Sequence, residues 1–433
     1  MSTVLLVNPP KYKEEFSVMR EEGTCGVLSR NESMNPQQML FVYKLLEDDD
    51  QEVDLIDMQT QGTSVAYEKY DWVIVWCSIY GSLYQDLEEV KKAKDAGART
   101  VVVVNRPIIE TEIMEKFPFI DYFVRYHERE RTIPALLKGQ LDKGLIYRKD
   151  GKLVETPMWP YTGMEHLNFR LPFELLPMQK YEKFFHVVSK GCGMRCSFCE
   201  FRGWKFIHRD VNVLLDELEY LSSFGKFIKI ETNDMFMNKQ FARDFMGGII
   251  KRKIDINYQA CVRANNVNSE MLGLAARSGM ESRIQLGVET PNETTRNLIN
   301  KCLPDKVLWD AIRAIKEQEM SLELLLMWGF PWDSHQTADD YIRFIRKVCP
   351  NKVALSSVRP IVGTPLHQMF RDEGLLDHDL ALDDYVKEYG YHWVSGTKHL
   401  TLDEVRQEHT RILDEFNKDT SGWWGWIKSR FSI

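Results

Sequence analysis

The sequence has no run of about 18 consecutive apolar residues, so no membrane-spanning helix is expected from hydropathy. It has no surplus of base. Its 56 Lys and Arg stand against 64 Asp and Glu, a net charge of −8, and nothing in that balance draws nucleic acid in general. The opening residues, MSTVLLVNPPKYKEE, lack the basic start and long apolar stretch of a signal peptide. A cytoplasmic protein is expected. No internal repeat or low-complexity tract is present. No G-x-G-x-x-G follows the first apolar run, which weakens an ordinary dinucleotide reading. Cysteine is scarce, with eight in 433 residues, and cytoplasmic thiols stay reduced. Cys25, Cys77, Cys261, Cys302 and Cys349 are scattered and read as small apolar filling. The other three are gathered in "KGCGMRCSFCEF", Lys190 to Phe201. No second pair of cysteines answers them.

What is present is ample for a core: 44% hydrophobic residues and 28% charged. The length suits two or three units. The first reads as alternating strands and helices. Strands are expected at Val4 to Asn8, Val53 to Ile56, Asp71 to Cys77, Thr100 to Val104 and Asp121 to Val124. Helices are expected at Pro36 to Leu46, Leu83 to Ala96 and near Ile133 to Leu137. This rhythm predicts a doubly wound parallel sheet over residues 1–140. Ligands of such sheets sit beyond the carboxyl ends of the strands. Those ends carry Asn8, then Ser78 to Ser82, then Asn105-Arg106-Pro107. Residues 141–183 hold a turn at Asp150-Gly151 and four prolines, and read as a hairpin and extended connector.

Residues 184–370 alternate again. Six strands are expected, at Phe185 to Ser189, Phe227 to Ile230, Ile256 to Val262, Arg283 to Val288, Leu322 to Met327 and Val353 to Ser357. The intervening helices are Val211 to Ser222, Lys239 to Lys251, Ser269 to Ser278, Lys306 to Glu317 and Thr337 to Val348. The count falls short of an eight-fold barrel and fits a partial (β/α)6 barrel, with chemistry at the strand ends. Residues 371–433 read as charged and irregular, a small helical C-terminal region ending in WWGWIKSRFSI. That ending packs on the body or anchors at an interface.

Three thiolates suit zinc or iron and sulfide. Structural zinc wants four ligands, so His186 or His208 would have to complete it. A 4Fe-4S cluster held by three cysteines keeps one iron open. The spacing Cys192, Cys196, Cys199, with Phe198 before the third, resembles the signature of radical S-adenosylmethionine (SAM) enzymes. The resemblance implies a 4Fe-4S cluster whose open iron holds SAM. One electron from the cluster then gives methionine and a 5'-deoxyadenosyl radical, which takes hydrogen from an unactivated carbon. It also implies a reducing partner such as flavodoxin or ferredoxin. Thr232, Asn233 and Asp234 in "IKIETNDM" match the place that faces the methionine amine. Arg263 in "VRAN" matches a carboxylate partner. Glu289 in "IQLGVETPNE" matches a ribose ligand, with Gln285 nearby. An ordinary ion pair is the plain alternative for Arg263 and Glu289. Cys302 reads as a rim thiol or as filler.

The N-terminal unit, set before such a barrel, resembles the cobalamin-binding radical SAM family, whose members include carbon methyltransferases. That likeness implies a Rossmann-like, cobalamin-binding type of sheet. The corrin would lie against Asn8, Ser78, Tyr80, Gly81, Ser82, Asn105, Arg106 and Pro107. It implies cobalamin-dependent methylation of a small-molecule or peptide substrate. Oxidation, cyclisation or rearrangement without cobalamin is the alternative. No D-x-H-x-x-G is present to ligate cobalt from below. The family's usual Gly-Gly-Pro-His is here Asn105-Arg106-Pro107-Ile108, and its glycine-rich loop is Tyr126-His127-Glu128-Arg129-Glu130. Arg106 and Arg129 would crowd a corrin or pair with a phosphate.

Overall fold

The computed structural model describes residues 2–21, 26–27, 33–79, 81–106, 110–280, 283–376, 381–386 and 395–431. Cys25, Tyr80 and Pro107 lie outside them. Two sheets organise the chain. In the first, β1 (Thr3–Asn8), β2 (Glu52–Asp57), β3 (Trp72–Cys77), β4 (Arg99–Val104) and β5 (Tyr122–Val124) are parallel. The turn at Asp150-Gly151 forms as read and joins β6 (Leu145–Lys149) to β7 (Lys152–Glu155), which extend this sheet antiparallel. The order is β2-β1-β3-β4-β5-β6-β7. It reverses between β1 and β3, the crevice where open α/β sheets hold ligands.

Both faces of this sheet are covered, which explains strands such as TVVVV with no polar alternation. On one face Leu5, Val7, Val73, Val75, Val102 and Val104 pack with α2 (Leu83–Asp95). On the other, Val4, Leu6, Ile74, Trp76, Val101 and Val103 meet α1 (Gln37–Asp48) and α3 (Arg129–Leu137). Helix α1 serves two cores. Met39, Val42 and Leu46 face the first sheet, while Leu40 and Phe41 enter the core of the second unit.

The second sheet is parallel throughout and follows chain order: β8 (Phe184–Val187), β9 (Ile228–Glu231), β10 (Tyr258–Arg263), β11 (Ile284–Glu289), β12 (Leu322–Trp328) and β13 (Lys352–Ser357). Each pair is bridged by helix: α4 (Val211–Ser222), α5 (Lys239–Arg252), α6 (Ser269–Ala275), α7 (Glu293–Leu298) with α8 (Asp305–Glu317), and α9 (His335–Val348). The expected six-strand alternation is present. The outer edge of β8 would be an unpaired backbone row. Asn35 exchanges hydrogen bonds with Phe185 N and O at 2.8 and 3.1 Å, and Gln37 Oε1 accepts from Val187 N at 2.7 Å. Two side chains ahead of and within α1 thus seal the edge and weld the two units.

The connector is locked from beneath. Arg209 is fully buried and grips both oxygens of Glu217 at 2.7 Å, while its Nε donates to Leu167 O at 3.1 Å. Glu217 also accepts from Leu171 N at 2.8 Å and bonds His186 at 2.9 Å. Burial works to raise the Glu217 carboxyl, but Arg209 and His186 outweigh it and hold it down to about 2.

Much of the tail is one helix. Beyond α10 (Pro365–Asp372), α11 (Leu402–Phe431) is a single helix of 30 residues. Its start is anchored by Val405 and Ile412 in the second core, with Trp328 donating to Val405 O at 2.9 Å. The side chains of the tryptophan-rich ending lie outside the described residues. Among the described residues, no helix is long and apolar enough to cross a membrane.

Where the units meet, Glu21 is buried among Gln38, Arg129, Glu130 and Lys190. Its carboxylate accepts from Gln38 N at 2.9 Å. Burial pushes its carboxyl up to about 8, against that hydrogen bond and the charge of Arg129. The native state therefore holds a proton that the unfolded chain gives up near pH 4.3. Stability from this group is whole below that pH and drains as pH rises through about 8. Urea midpoints measured between pH 5 and 9 should fall with pH, and Glu21→Gln should flatten the fall.

Candidate active site at the cysteine loop

The loop after β8 is folded by its own backbone. Cys192 N and Gly193 N both donate to Trp204 O, at 3.0 and 2.6 Å, and Gly203 N donates to Met194 O at 2.6 Å. Gly191 stands at φ 80°, and a Cβ there would lie 2.2 Å from Lys205 O, so only glycine fits. Two further bonds tie the loop to the sheet end, Ser197 N to Ile299 O at 2.8 Å and Asn300 Nδ2 to Arg195 O at 2.8 Å. Cys192 and Cys196 are buried and Cys199 half-buried. Burial pushes the Cys199 thiol up to about 12, and it raises Cys192 as well.

Three thiolates on one zinc would hold their sulfurs roughly 3.8 Å apart, as tetrahedral Zn–S bonds of 2.3 Å require. Among the described residues no three Cys, His, Asp or Glu side chains gather around a point in that way. Nor do the two histidines complete a zinc site. His186 is bound to Glu217, and His208 bonds Arg209 O at 2.8 Å and stacks on Phe241. Among the described residues no fourth ligand gathers with the three thiols to close a tetrahedral zinc site. Three thiols spread on one loop, close enough to perturb each other electrostatically, suit a larger group with iron at several corners.

Arg263, at the end of β10, reaches the loop. Its Nη1 lies 3.5 Å from Cys196 Sγ, and its Nη2 donates to Lys301 O at 2.6 Å. Its Nε is buried without a hydrogen-bond partner. A buried guanidinium with a spare donor beside three thiols suits a carboxylate ligand.

Glu289 ends β11 at φ 69°, in the left-handed region, with the register against β12 shifting between Gly287 and Glu289. Bulges of this kind re-aim a side chain at the rim of a sheet. The carboxylate meets Lys301 Nζ at 2.5 Å. Lys301 is 4% exposed and was not expected from the sequence. Its main-chain oxygen binds Arg263 and its ammonium binds Glu289, so one residue joins both expected SAM contacts. Replacing Glu289 by Ala strands a buried ammonium. Glu289→Ala and Lys301→Ala should each weaken SAM binding roughly tenfold to a hundredfold, the worth of a charged hydrogen bond. Equilibrium dialysis on cluster-loaded protein reads it.

The remaining expected residues divide. Thr232 is buried and bonds Ser189 Oγ at 2.7 Å. Asn233 borders a narrow cavity of about 20 Å³, room for one water, with Gln38, Lys190 and Phe201. Asp234 is fully buried and engaged on both oxygens, by Asn266 Nδ2 at 2.5 Å and by the backbone of Phe236 and Arg263. It braces the strand ends. Phe198 packs into an apolar cluster with Ile299, Phe330 and Leu366. Gln285 sits lower on the sheet in a polar row: Cys261 Sγ donates to its Oε1 at 3.6 Å, it donates to Glu323 at 2.9 Å, and Glu323 pairs with Lys352 at 3.1 Å. Cys302 is exposed and bonds Asn300 locally.

At the described strand ends of the first sheet the polar side chains are buried and paired. Asn8, Ser78, Ser82 and Asn105 are at most 2% exposed. Buried Arg20 holds Asn8 Oδ1 at 3.0 Å and both oxygens of Asp86. Asp86 also takes Ser78 N and Ser82 Oγ, and Asn105 Oδ1 takes Ile79 N at 3.1 Å. Of the described candidates Gly81 and Arg106 are half-buried, with Gly81 at φ 74°. Arg106 pairs with Glu200 at 2.6 Å, and Arg129 donates to Gln38 at 2.7 Å. These side chains are engaged with partners inside the protein.

Comparison with known proteins agrees with the second sheet. Residues 186–345 match the radical SAM superfamily. An uncharacterised methyltransferase of Pyrococcus horikoshii is 26% identical over 391 residues, covering 84% of this chain and 82% of that protein. The hopanoid C-2 methylase of Rhodopseudomonas palustris is 22% identical over 49% of this chain and 42% of its own. The radical SAM methyltransferase TsrM of Kitasatospora setae, with cobalamin and a 4Fe-4S cluster bound, shares the fold at TM-score 0.67, with 16% identity over 90% of this chain and 83% of TsrM. The cobalamin-dependent SAM radical enzyme OxsB superposes at TM-score 0.70, with 15% identity over 91% of this chain and 65% of OxsB. The chain carries a radical SAM domain, joined to an N-terminal sheet in the fold of these two enzymes.

Proposed function

We propose that the protein is a radical SAM enzyme that removes hydrogen from a carbon of a polar small molecule or peptide. Cys192, Cys196 and Cys199 would hold a 4Fe-4S cluster, and Arg263 and Glu289 would hold SAM. When bound and reduced, the cluster supplies the electron that cleaves SAM to a 5'-deoxyadenosyl radical. The observation that carries the reading is Arg263. It touches Cys196 on one side and, through Lys301, the Glu289 carboxylate on the other. Arg263 Nε is left to bind the methionine carboxylate, and Glu289 to bind the ribose. A flavodoxin- or ferredoxin-like protein would supply the electron.

Two outcomes for the substrate carbon are supported by different observations. Methylation is supported by the names of the relatives. Oxidation, ring closure or rearrangement without cobalamin is supported by the buried, paired side chains at the described strand ends of the first sheet. Reconstituted protein with SAM, reductant and a cell extract separates them by product mass: gain of a methylene, or loss or rearrangement of hydrogen. Release of 5'-deoxyadenosine must keep pace with product in either case. Product without it overturns the proposal.

A further inference from the structure

The carboxyl ends of β4 and β5 are the places where glycine would let a bulky ligand approach. In this chain they carry side chains that reach the cysteine loop. Arg106, directly after β4, pairs with Glu200 at 2.6 Å, and Glu200 is the residue next to Cys199. The pair is largely buried, with side chains 20% and 4% exposed. After β5, His127 and Glu128 stand at φ 59° and 56°, the left-handed region that favours glycine. The backbone keeps that shape while bearing side chains. The His127 ring meets Trp204 edge to face at 4.8 Å, and Trp204 stacks on Tyr161 at 4.6 Å. Trp204 O is also the acceptor that shapes the loop at Cys192 and Gly193. Two neighbouring strand ends therefore bear directly on both sides of the cysteine loop. Behind them Asn8, Ser78, Ser82 and Asn105 are spent on one another and on Arg20 and Asp86.

We infer that the first sheet of this chain takes no cobalamin and instead clamps the cysteine loop, through Arg106 on Glu200 and His127 on Trp204. This rests on the cysteine loop holding the cluster of the proposed function. A corrin laid on this edge would have to break a buried ion pair and an aromatic contact at once. Breaking a buried pair by removing one partner strands a charge at high cost. Arg106 is a positioning residue. It neutralises a carboxylate one residue from a cluster thiolate, so it sets the field at the iron as well as the shape of the loop.

The test uses the full chain, reconstituted anaerobically with iron and sulfide, then mixed with excess hydroxocobalamin and passed through gel filtration. Wild type should emerge with its cluster and without corrin absorbance. One cobalamin per chain overturns the inference, whether or not SAM is cleaved. Failure to hold iron or to cleave SAM contradicts the proposed function instead, and the corrin result still stands by itself. The clamp is read separately by redox titration followed by electron paramagnetic resonance. Arg106→Gln removes the positive charge that faces Glu200 and should shift the cluster to a more negative potential. Glu200→Gln should shift it to a more positive one, and Arg106→Lys should restore the wild-type value. Unmoved potentials in both glutamine variants, with clusters retained, overturn the clamp.

Discussion

Alanine at Cys192, Cys196 or Cys199 should remove the iron altogether, from about four per chain to none. Each thiol sits on a loop that backbone bonds hold in place. Two of the chain's other described cysteines lie in quite different settings. Cys77 is buried in the first core, and Cys349 is an exposed thiol at the end of α9. Cys349→Ala should keep the full iron content and serves as the control. The measurement is iron and sulfide analysis beside the visible spectrum after anaerobic reconstitution. A single cysteine variant that retains wild-type iron contradicts the ligand set.

The second large effect is on stability and lies far from the iron. Glu217→Ala leaves Arg209 charged and fully buried, with His186 and Leu171 N also deprived of their acceptor. Breaking such a pair costs about 3–5 kcal/mol. The urea midpoint of the second unit should fall accordingly, and Glu217→Gln, which keeps an acceptor oxygen, should fall less. The pH dependence has a definite sign. The folded carboxyl is held at about 2, below the unfolded value of about 4.3. Its contribution is complete above the unfolded value and is lost as pH falls toward 2. In Glu217→Ala that acid limb should vanish. An alanine variant as stable as wild type would mean that the pair only fills space.

The parts of the site that could be read from sequence are those carried by local spacing. The three cysteines sit within eight residues, directly after a strand, so both their chemistry and their place in the fold were legible. The parallel sheets followed in the same way, because buried strands such as WVIVWC and TVVVV carry no polar alternation. Arg263 and Glu289 were legible as strand-end residues. Lys301 was not, because it touches them across 38 and 12 positions of chain in a loop with no periodic signal. A basic residue there looks like any surface lysine until the structure buries it. The Arg209–Glu217–His186 knot was hidden for the same reason, since a charged residue in the core is legible only through its partner. The polar strand ends of the first sheet are paired in ways the sequence does not display. Asn8, Ser78, Ser82 and Asn105 have the right chemistry to bind a ligand. Much of that chemistry is engaged by Arg20, 12 positions from Asn8, and by Asp86, 66 positions from Arg20, while Asn105 takes Ile79 N. The same residue types serve for ligand binding and for closing a crevice, and only the pairing tells them apart. In the tail, charges obscure the apolar stripe of Val405 and Ile412 that seats α11.

The central claim is that the three-cysteine loop, Arg263 and Glu289 form one SAM-cleaving site. Its most direct test is 5'-deoxyadenosine, quantified by mass spectrometry after anaerobic incubation of the reconstituted protein with SAM and a strong reductant. Wild type should accumulate it even without substrate, Cys196→Ala should form none, and Glu289→Ala should form it only at raised SAM concentration. A protein that carries stoichiometric zinc, shows no iron–sulfur absorbance and leaves SAM intact would contradict the account.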